Sequence, residues 1–477
     1  MFLLGFLLVM LIIAASNGVV GNDEGIWSYI GRVWNRNDIL PYVGTIENKT
    51  PAIFYLHRLS DALFGVNDFF VRALAILSII IGAFTIHKIG KMVFNEFTGI
   101  IGMCIYGLMN AWKMLDGPYV GQTESFMTMF TISAFYFTIK FRIKVPKNIW
   151  LIIAGAAIGM AILFKQIALI SLLALLCIHI YTSKGNSKII GAMYILSGTL
   201  IVGVVSSMIL ISSGVTFQSY FEGAWLILFE SGSSRILNQD YFDGFSSIWL
   251  NSRIVIVYPI LLLLFLQKEL LKHKYFRWIL VWFFFDLVAA NLSGYFYGHQ
   301  LKQMLPALSL ILAALLVNEM KNIIGIDFDK IKDRYFRFGL LFVFIVFVPY
   351  RTLYINSKRL IIENDIDHNQ KVAAWLYENT DEDDFIYALG GDCNPILALS
   401  ERVSSSEYFN SIFISGEEEQ TEILKDLASN PPTYIIKDES TTELGLVYGD
   451  EFVVYLTQNF KLFHTESNIE IFKRKGL

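Results

Sequence analysis

Apolar residues in this chain come in long blocks, not in the short periodic runs of a soluble domain. Runs lie near 2–20, 70–87, 97–112, 122–139, 149–163, 167–182, 189–212, 254–267, 278–292, 303–318 and 338–350. Runs of this length predict a polytopic α-helical membrane protein with about eleven spans. The region 149–182 is too long for one span and is interrupted only by Lys165-Gln166. It reads as two short helices meeting at Lys165, with a single long tilted helix as the alternative.

The first run is read as an uncleaved span, because no Lys or Arg precedes it and it is long for a signal core; a cleaved signal peptide is the alternative. The loop behind it, 21–69, alternates differently. Ile26, Tyr29, Ile30, Val33 and Trp34 form one apolar stripe on a short helix. A second helix follows, with Thr50 as N-cap, Pro51 at its first position, Ala52, Leu56, Leu59 and Leu63 on one face, and Gly65 as its stop. Both helices suit a membrane interface. The turn between them holds Asp38, Glu47 and Lys49.

From about Ser357 the pattern becomes that of a soluble domain. Helices are expected around Val372–Leu376 and Thr421–Leu427, and strands at Phe385–Leu389, Tyr434–Ile436, Lys461–His464 and Ile469–Phe472. This predicts a membrane domain over 1–355 and a small α/β domain over 356–477. Gly390-Gly391 reads as a turn, not a phosphate loop.

Charge orients the spans. Connections after even-numbered runs carry Lys88 and Lys91; Lys140, Arg142, Lys144 and Lys147; Lys184 and Lys188; Lys268, Lys272, Lys274 and Arg277; and Lys321, Lys330, Lys332, Arg334 and Arg337. The positive-inside rule puts these in the cytoplasm, and puts the first loop, the loop from Ser213 to Arg253 and the C-terminal domain outside it. A multi-pass protein of the plasma (inner) membrane is expected. Composition agrees: 55% of the 477 residues are hydrophobic and only 17% are charged, where a soluble protein carries about a quarter charged residues. A net charge of −4 without a basic domain argues against nucleic acid, and three cysteines give no disulfide framework.

Ionisable groups beside spans on one face of the bilayer are candidates for function. On the outer side these are Asp23, Glu24, Lys49, Asp116, Glu124, Lys165, His299 and Lys302. Asp23 also suits an N-cap, and Glu24 and Glu124 suit first-turn acids. Lys49 suits a headgroup anchor, and Lys165 suits snorkelling. Lys165 is the hardest to explain blandly, because it interrupts about thirty apolar residues of the kind that form spans. His299, Gln300, Lys302 and Gln303 together suit an anionic headgroup. Asn48-Lys49-Thr50 and Asn291-Leu292-Ser293 match glycosylation sequons, a frequent chance event.

These features resemble the polyprenyl-phosphate-sugar-dependent glycosyltransferases of the GT-C type, most of all the bacterial relatives of protein O-mannosyltransferase and of the lipid A aminoarabinose transferase. The residues that carry the resemblance are Asp23-Glu24 with Tyr29, then Lys49-Thr50-Pro51-Ala52 with Tyr55, and Leu63-Phe64-Gly65 with Arg72. Glu124, Phe164-Lys165-Gln166, and Gly298-His299-Gln300 before Leu305-Pro306 continue it. Trp375, Tyr387–Gly390 and Pro431-Pro432-Thr433-Tyr434 extend it into the C-terminal domain. Thr50 departs from the family's Lys-Pro-Pro-Leu pattern.

The resemblance implies an inverting transfer of a hexosyl or pentosyl group in one displacement. Outside the cytoplasm there is no pool of nucleotide sugars, so the donor is expected on a lipid carrier, a polyprenyl phosphate in the membrane. The acceptor is an extracytoplasmic hydroxyl of a cell-envelope glycan, a lipid or a protein. Asp23 is the expected base, with Glu24 and Glu124 orienting the acceptor. Lys49, Lys165, His299 and Lys302 are expected at the donor phosphate. No cofactor is fixed by the sequence; members of the resembled family differ in metal use, and a divalent metal held by Asp23 or Glu124 is left open. A transporter or flippase of lipid-linked sugars is the alternative. Such proteins place ionisable groups near mid-membrane, often in repeated halves, and no internal repeat is seen here.

Overall fold

The computed structural model describes residues 20–67, 69–111, 121–144, 146–227, 239–251, 267–294, 296–324, 368–390, 393–414, 416–438, 444–466 and 468–476, with single positions within 5–12 and at 258 and 261. The runs at 2–20, 254–267 and 338–350 therefore lie wholly or mostly outside the described residues, as does Asp116. The chain forms two compact units. One comprises 1–17, 72–206 and 230–363; the other comprises 18–71, 207–229 and 364–477.

The first unit is helical. Its main helices are α3 (Phe69–Val93, entering from the second unit), α4 (Glu96–Asn110), α5 (Thr123–Ile143), α6 (Ile149–Phe164), α7 (Ala168–Thr182), α8 (Ser187–Ser212, whose end passes into the second unit), α9 (Lys274–Leu292) and α10 (Leu305–Ile324). Four described helical stretches are long and apolar enough to cross a membrane: Phe69–Val93, Ser187–Ser212, Lys274–Leu292 and Gly298–Asn318. Two shorter apolar helices, α6 and α7, are separated by an extended Lys165 and a turn. The expected break thus falls where the sequence places it. α6 and α8 cross so closely that a Cβ on Gly155 would lie 1.9 Å from the Ile195 carbonyl, and one on Gly198 would lie 2.1 Å from that of Ile152. Only glycine permits that backbone approach.

The second unit contains α1 (Asn22–Arg36) and α2 (Ala52–Phe64). It also holds the C-terminal layer, which runs α11 (His368–Asn379), β1 (Phe385–Leu389), α12 (Asn394–Leu399), β2 (Val403–Ser404), α13 (Glu417–Ser429), β3 (Tyr434–Asp438), α14 (Leu444–Tyr448), α15 (Asp450–Asn459), β4 (Phe460–Glu466) and β5 (Ile469–Arg474). The sheet order is β2-β1-β3-β5-β4. β1 is parallel to β2 and β3, while β5 runs antiparallel to β3 and β4. Tyr387 and Leu389 of β1 and Ile435 of β3 meet Ile423, Leu427, Phe452 and Leu456 in a buried core. Burying each such side chain stabilises the fold by about 1.5–3 kcal/mol. The expected strands are all present. The two-residue β2 and the helices α12, α14 and α15 carry no periodicity long enough to predict.

The first-loop helices pack differently from expectation. The stripe Ile26, Tyr29, Ile30, Val33 and Trp34 is buried inside the unit, and Trp27 is buried with it. Gly31 lies against the backbone of His57 and Arg58 in α2, and Gly25 lies against Pro395 in α12. In α2 the buried face is Ile53, Phe54, His57, Ser60 and Asp61, while Leu59, Leu63 and Phe64 stay about half exposed. That is the kind of apolar surface an interfacial helix offers to lipid. Pro51, rather than Thr50, occupies the N-cap of α2 without a side-chain cap bond, and Gly65 ends the helix at φ 69° as expected.

Glu407, whose carbonyl accepts the Ile46 N–H at 3.1 Å, has a carboxyl pushed up from the usual 4.5 to about 7, by burial first and then by Asp426 and Glu422. The folded form therefore binds this proton more tightly than the unfolded form. Stability contributed here is complete below the unfolded value and is lost as pH rises through about 7. Glu407→Gln, which mimics the neutral acid, is expected to raise the thermal unfolding midpoint at pH 8 and to leave it unchanged at pH 5. An equal effect at both pH values would contradict this.

Candidate active site

Glu124, Lys165, His299 and Lys302 lie in the first unit and come together there. Glu124 opens α5: Gln122 is the N-cap, so Glu124 sits in the first turn, where a carboxylate faces unpaired peptide N–H groups. It is only 1% exposed and is paired directly with Lys165. Thr123 Oγ1 donates to its other oxygen at 3.1 Å. Lys165 occupies the extended break after α6, where it reaches Glu124 with its side chain 18% exposed. The 3-10 turn Gly298–Met304 supplies the remaining members. His299 Nε2 lies 3.7 Å from Glu124 Oε1, with its ring stacked on Tyr297. Lys302 is 1% exposed, and its Nζ donates to Gln122 Oε1 at 3.5 Å. Among the described residues, two ammonium groups and an imidazole thus surround one carboxylate.

Asp23, Glu24 and Lys49 lie in the second unit. Gly21, not Asp23, is the N-cap of α1, and its N–H donates to Glu24 Oε2 at 3.4 Å. Glu24 therefore plays the first-turn role that its position suggests, and it is buried. Asp23, one residue earlier, is partly exposed and makes no side-chain hydrogen bond among the described residues. Its charge is felt at Glu47, a buried carboxyl that desolvation pushes up, with Lys49 opposing and Asp23 adding to the shift. Lys49 Nζ donates to Asn48 Oδ1 at 2.8 Å and to Glu47 Oε1 at 3.4 Å. Both sequon asparagines are committed internally: Asn48 holds Lys49, and Asn291 accepts from Trp249 Nε1 at 2.6 Å.

Asp286 was not among the candidates, although a lone acid inside the run 278–292 was a visible signal. It is fully buried in α9 and accepts from Ser171 Oγ of α7 at 2.6 Å, and Gln303 Nε2 donates to the same Ser171 Oγ at 3.4 Å. This links the turn bearing His299 and Lys302 to two helices. Gln122 and Thr123, neighbours of Glu124, were missed because neutral polar residues at a helix start are common. For a metal, the donor set is poor: among the described residues no three His, Cys, Asp or Glu side chains converge. Glu124 is instead committed to cations.

Residues 48–211 match the family model described as dolichyl-phosphate-mannose-protein mannosyltransferase. No curated protein matches the sequence. Among solved structures, the chain is similar to ArnT from Cupriavidus metallidurans bound to undecaprenyl phosphate, with 13% identity, 99% of this chain and 97% of that chain covered, and a TM-score of 0.64. It is also similar to the archaeal oligosaccharyltransferase AglB from Archaeoglobus fulgidus in complex with an inhibitory peptide and a dolichol-phosphate, with 11% identity, coverage of 100% and 74%, and a TM-score of 0.58. The chain thus carries that family's signature over residues 48–211 and shares the fold of these two structures over nearly its whole length.

Proposed function

We propose that the protein moves a sugar from a polyprenyl-phosphate donor to a hydroxyl acceptor at the outer face of the plasma membrane, with inversion at the anomeric carbon. The observation that carries this reading is the convergence of Lys165, His299 and Lys302, from separate segments, on the one carboxylate of Glu124. A phosphodiester donor supplies one negative charge. When its bond to the anomeric carbon breaks, the electron pair stays on the phosphate and the carrier gains a further negative charge. Cations already in place stabilise that gain without reorganising. The structures of ArnT with undecaprenyl phosphate and AglB with dolichol-phosphate support a lipid-phosphate donor.

In this scheme Asp23 takes the proton of the acceptor hydroxyl as the new glycosidic bond forms. Lys49 assists at the donor phosphate, and Glu24 and Glu124 hold the groups around them. The test is a single incubation of the purified protein in sealed proteoliposomes with a polyprenyl-phosphate sugar and envelope extract, read by mass spectrometry. Polyprenyl monophosphate and a glycosylated product are expected in equal amounts. Intact donor moved across the bilayer, with its phosphate–sugar bond unbroken, would overturn the proposal in favour of a transporter.

A further inference from the structure

The strongest unexplained feature lies in the second unit, where α1 is bound to the C-terminal layer by polar contacts that packing alone does not require. Arg32 is 2% exposed, and among the described residues its guanidinium meets no carboxylate directly. Its Nη2 donates to the carbonyls of Leu397 at 3.0 Å and Arg402 at 2.7 Å. Leu397 O belongs to the last turn of α12, where carbonyls lack intrahelical partners and the helix dipole favours a cation. Arg32 therefore caps α12 from a segment far away in sequence. Around it, the Ser404 N–H donates to the Tyr29 hydroxyl at 2.9 Å, and the Tyr29 ring packs 4.7 Å from that of Phe409. Arg36 pairs with Glu401 and, at 2.7 Å, with Asp61 of α2. At the other end of α1, a Cβ on Gly25 would come within 2.8 Å of the Pro395 backbone.

These contacts fix α1 at both ends and leave the Asp23 side chain outside the network. We propose that the C-terminal α/β layer is a positioning element of the transferase, and that Arg32 is the positioning residue through which it holds the helix bearing Asp23. The proposal rests on Asp23 as the base. A base must be held within hydrogen-bond reach of the proton it removes, and a displacement of about 1 Å is enough to cost on the order of 100-fold in rate. Arg32 does not touch the reacting groups. Its loss is therefore expected to lower turnover while leaving donor binding largely in place, because three of the proposed phosphate cations, Lys165, His299 and Lys302, belong to the other unit and the fourth, Lys49, lies outside α1.

The test uses the full chain in nanodiscs with a polyprenyl-phosphate sugar donor. Arg32→Met, Arg32→Lys and Tyr29→Phe are compared with the parent by kcat, by donor KM, and by amide hydrogen exchange over 22–36. For Arg32→Met, kcat should fall at least about tenfold with donor KM within about twofold, and exchange in α1 should quicken. Arg32→Lys keeps the charge and should recover part of both. Tyr29→Phe, which removes one hydroxyl and is the variant to rely on if Arg32→Met fails to fold, should move both in the same direction by less. Quickened exchange with unchanged kcat would overturn the proposal, and so would a lower kcat with unchanged exchange. Asp23→Asn serves as the reference, with low kcat and unaltered exchange expected. If that variant stays active, the reading of Asp23 as base fails, while the exchange data still report whether Arg32 holds α1.

Discussion

Asp23→Asn is expected to lower the rate of sugar transfer by about 100-fold or more, the usual contribution of a positioned general base, while the protein folds normally. The structure removes the main rival explanation for this residue. Gly21 is the N-cap of α1, and Glu24 accepts the Gly21 N–H, so Asp23 is not the cap. Asparagine keeps its size and loses only the first-turn charge, a change of about 0.3–1 kcal/mol at an exposed helix start. Transfer rate and unfolding temperature measured side by side check this. A variant that transfers at close to the parent rate would show that another group takes the acceptor proton. A variant that simply unfolds would return Asp23 to a structural role.

Lys165→Met is expected to reduce transfer on the order of 10²–10³-fold, as removal of one preorganised charge-stabilising group does elsewhere. Its effect on folding reverses once the structure is known. From sequence, loss of an ammonium beside lipid should ease insertion by about 2.5–3.5 kcal/mol. In the structure Lys165 is the direct partner of a carboxylate that is 1% exposed. Breaking a buried pair from one side costs about 3–5 kcal/mol, with His299 and Lys302 offsetting part of it. Lys165→Met should therefore yield less folded protein, and Lys165→Met combined with Glu124→Gln should restore the yield without restoring transfer. Lys165→Arg should retain part of the activity, since the charge survives while the geometry changes. Size-exclusion yield, donor binding and transfer rate on the four proteins decide it. Unimpaired donor binding by Lys165→Met would show that the phosphate is held elsewhere.

The sequence by itself determined the class of the protein and the position of most of its helices. A span needs a long apolar run, and that requirement is local, so the runs at 70–87, 149–163, 167–182 and 189–212 reappear as α3, α6, α7 and α8. The same locality made Lys165 legible, because one cation in about thirty apolar residues stands out without any knowledge of its neighbours. Acids beside a helix start were equally visible. What the sequence could not supply was partners. An apolar stripe says that a face is buried and not against what, so the stripe of α1 pointed to a membrane interface although the structure buries it inside its own unit. The carbonyls that Arg32 serves are 365 and 370 residues away, a separation no periodicity encodes. Glu124, Lys165, His299 and Lys302 come from three separate segments, and only the packing of those segments turned four individual candidates into one cationic cluster around a single carboxylate.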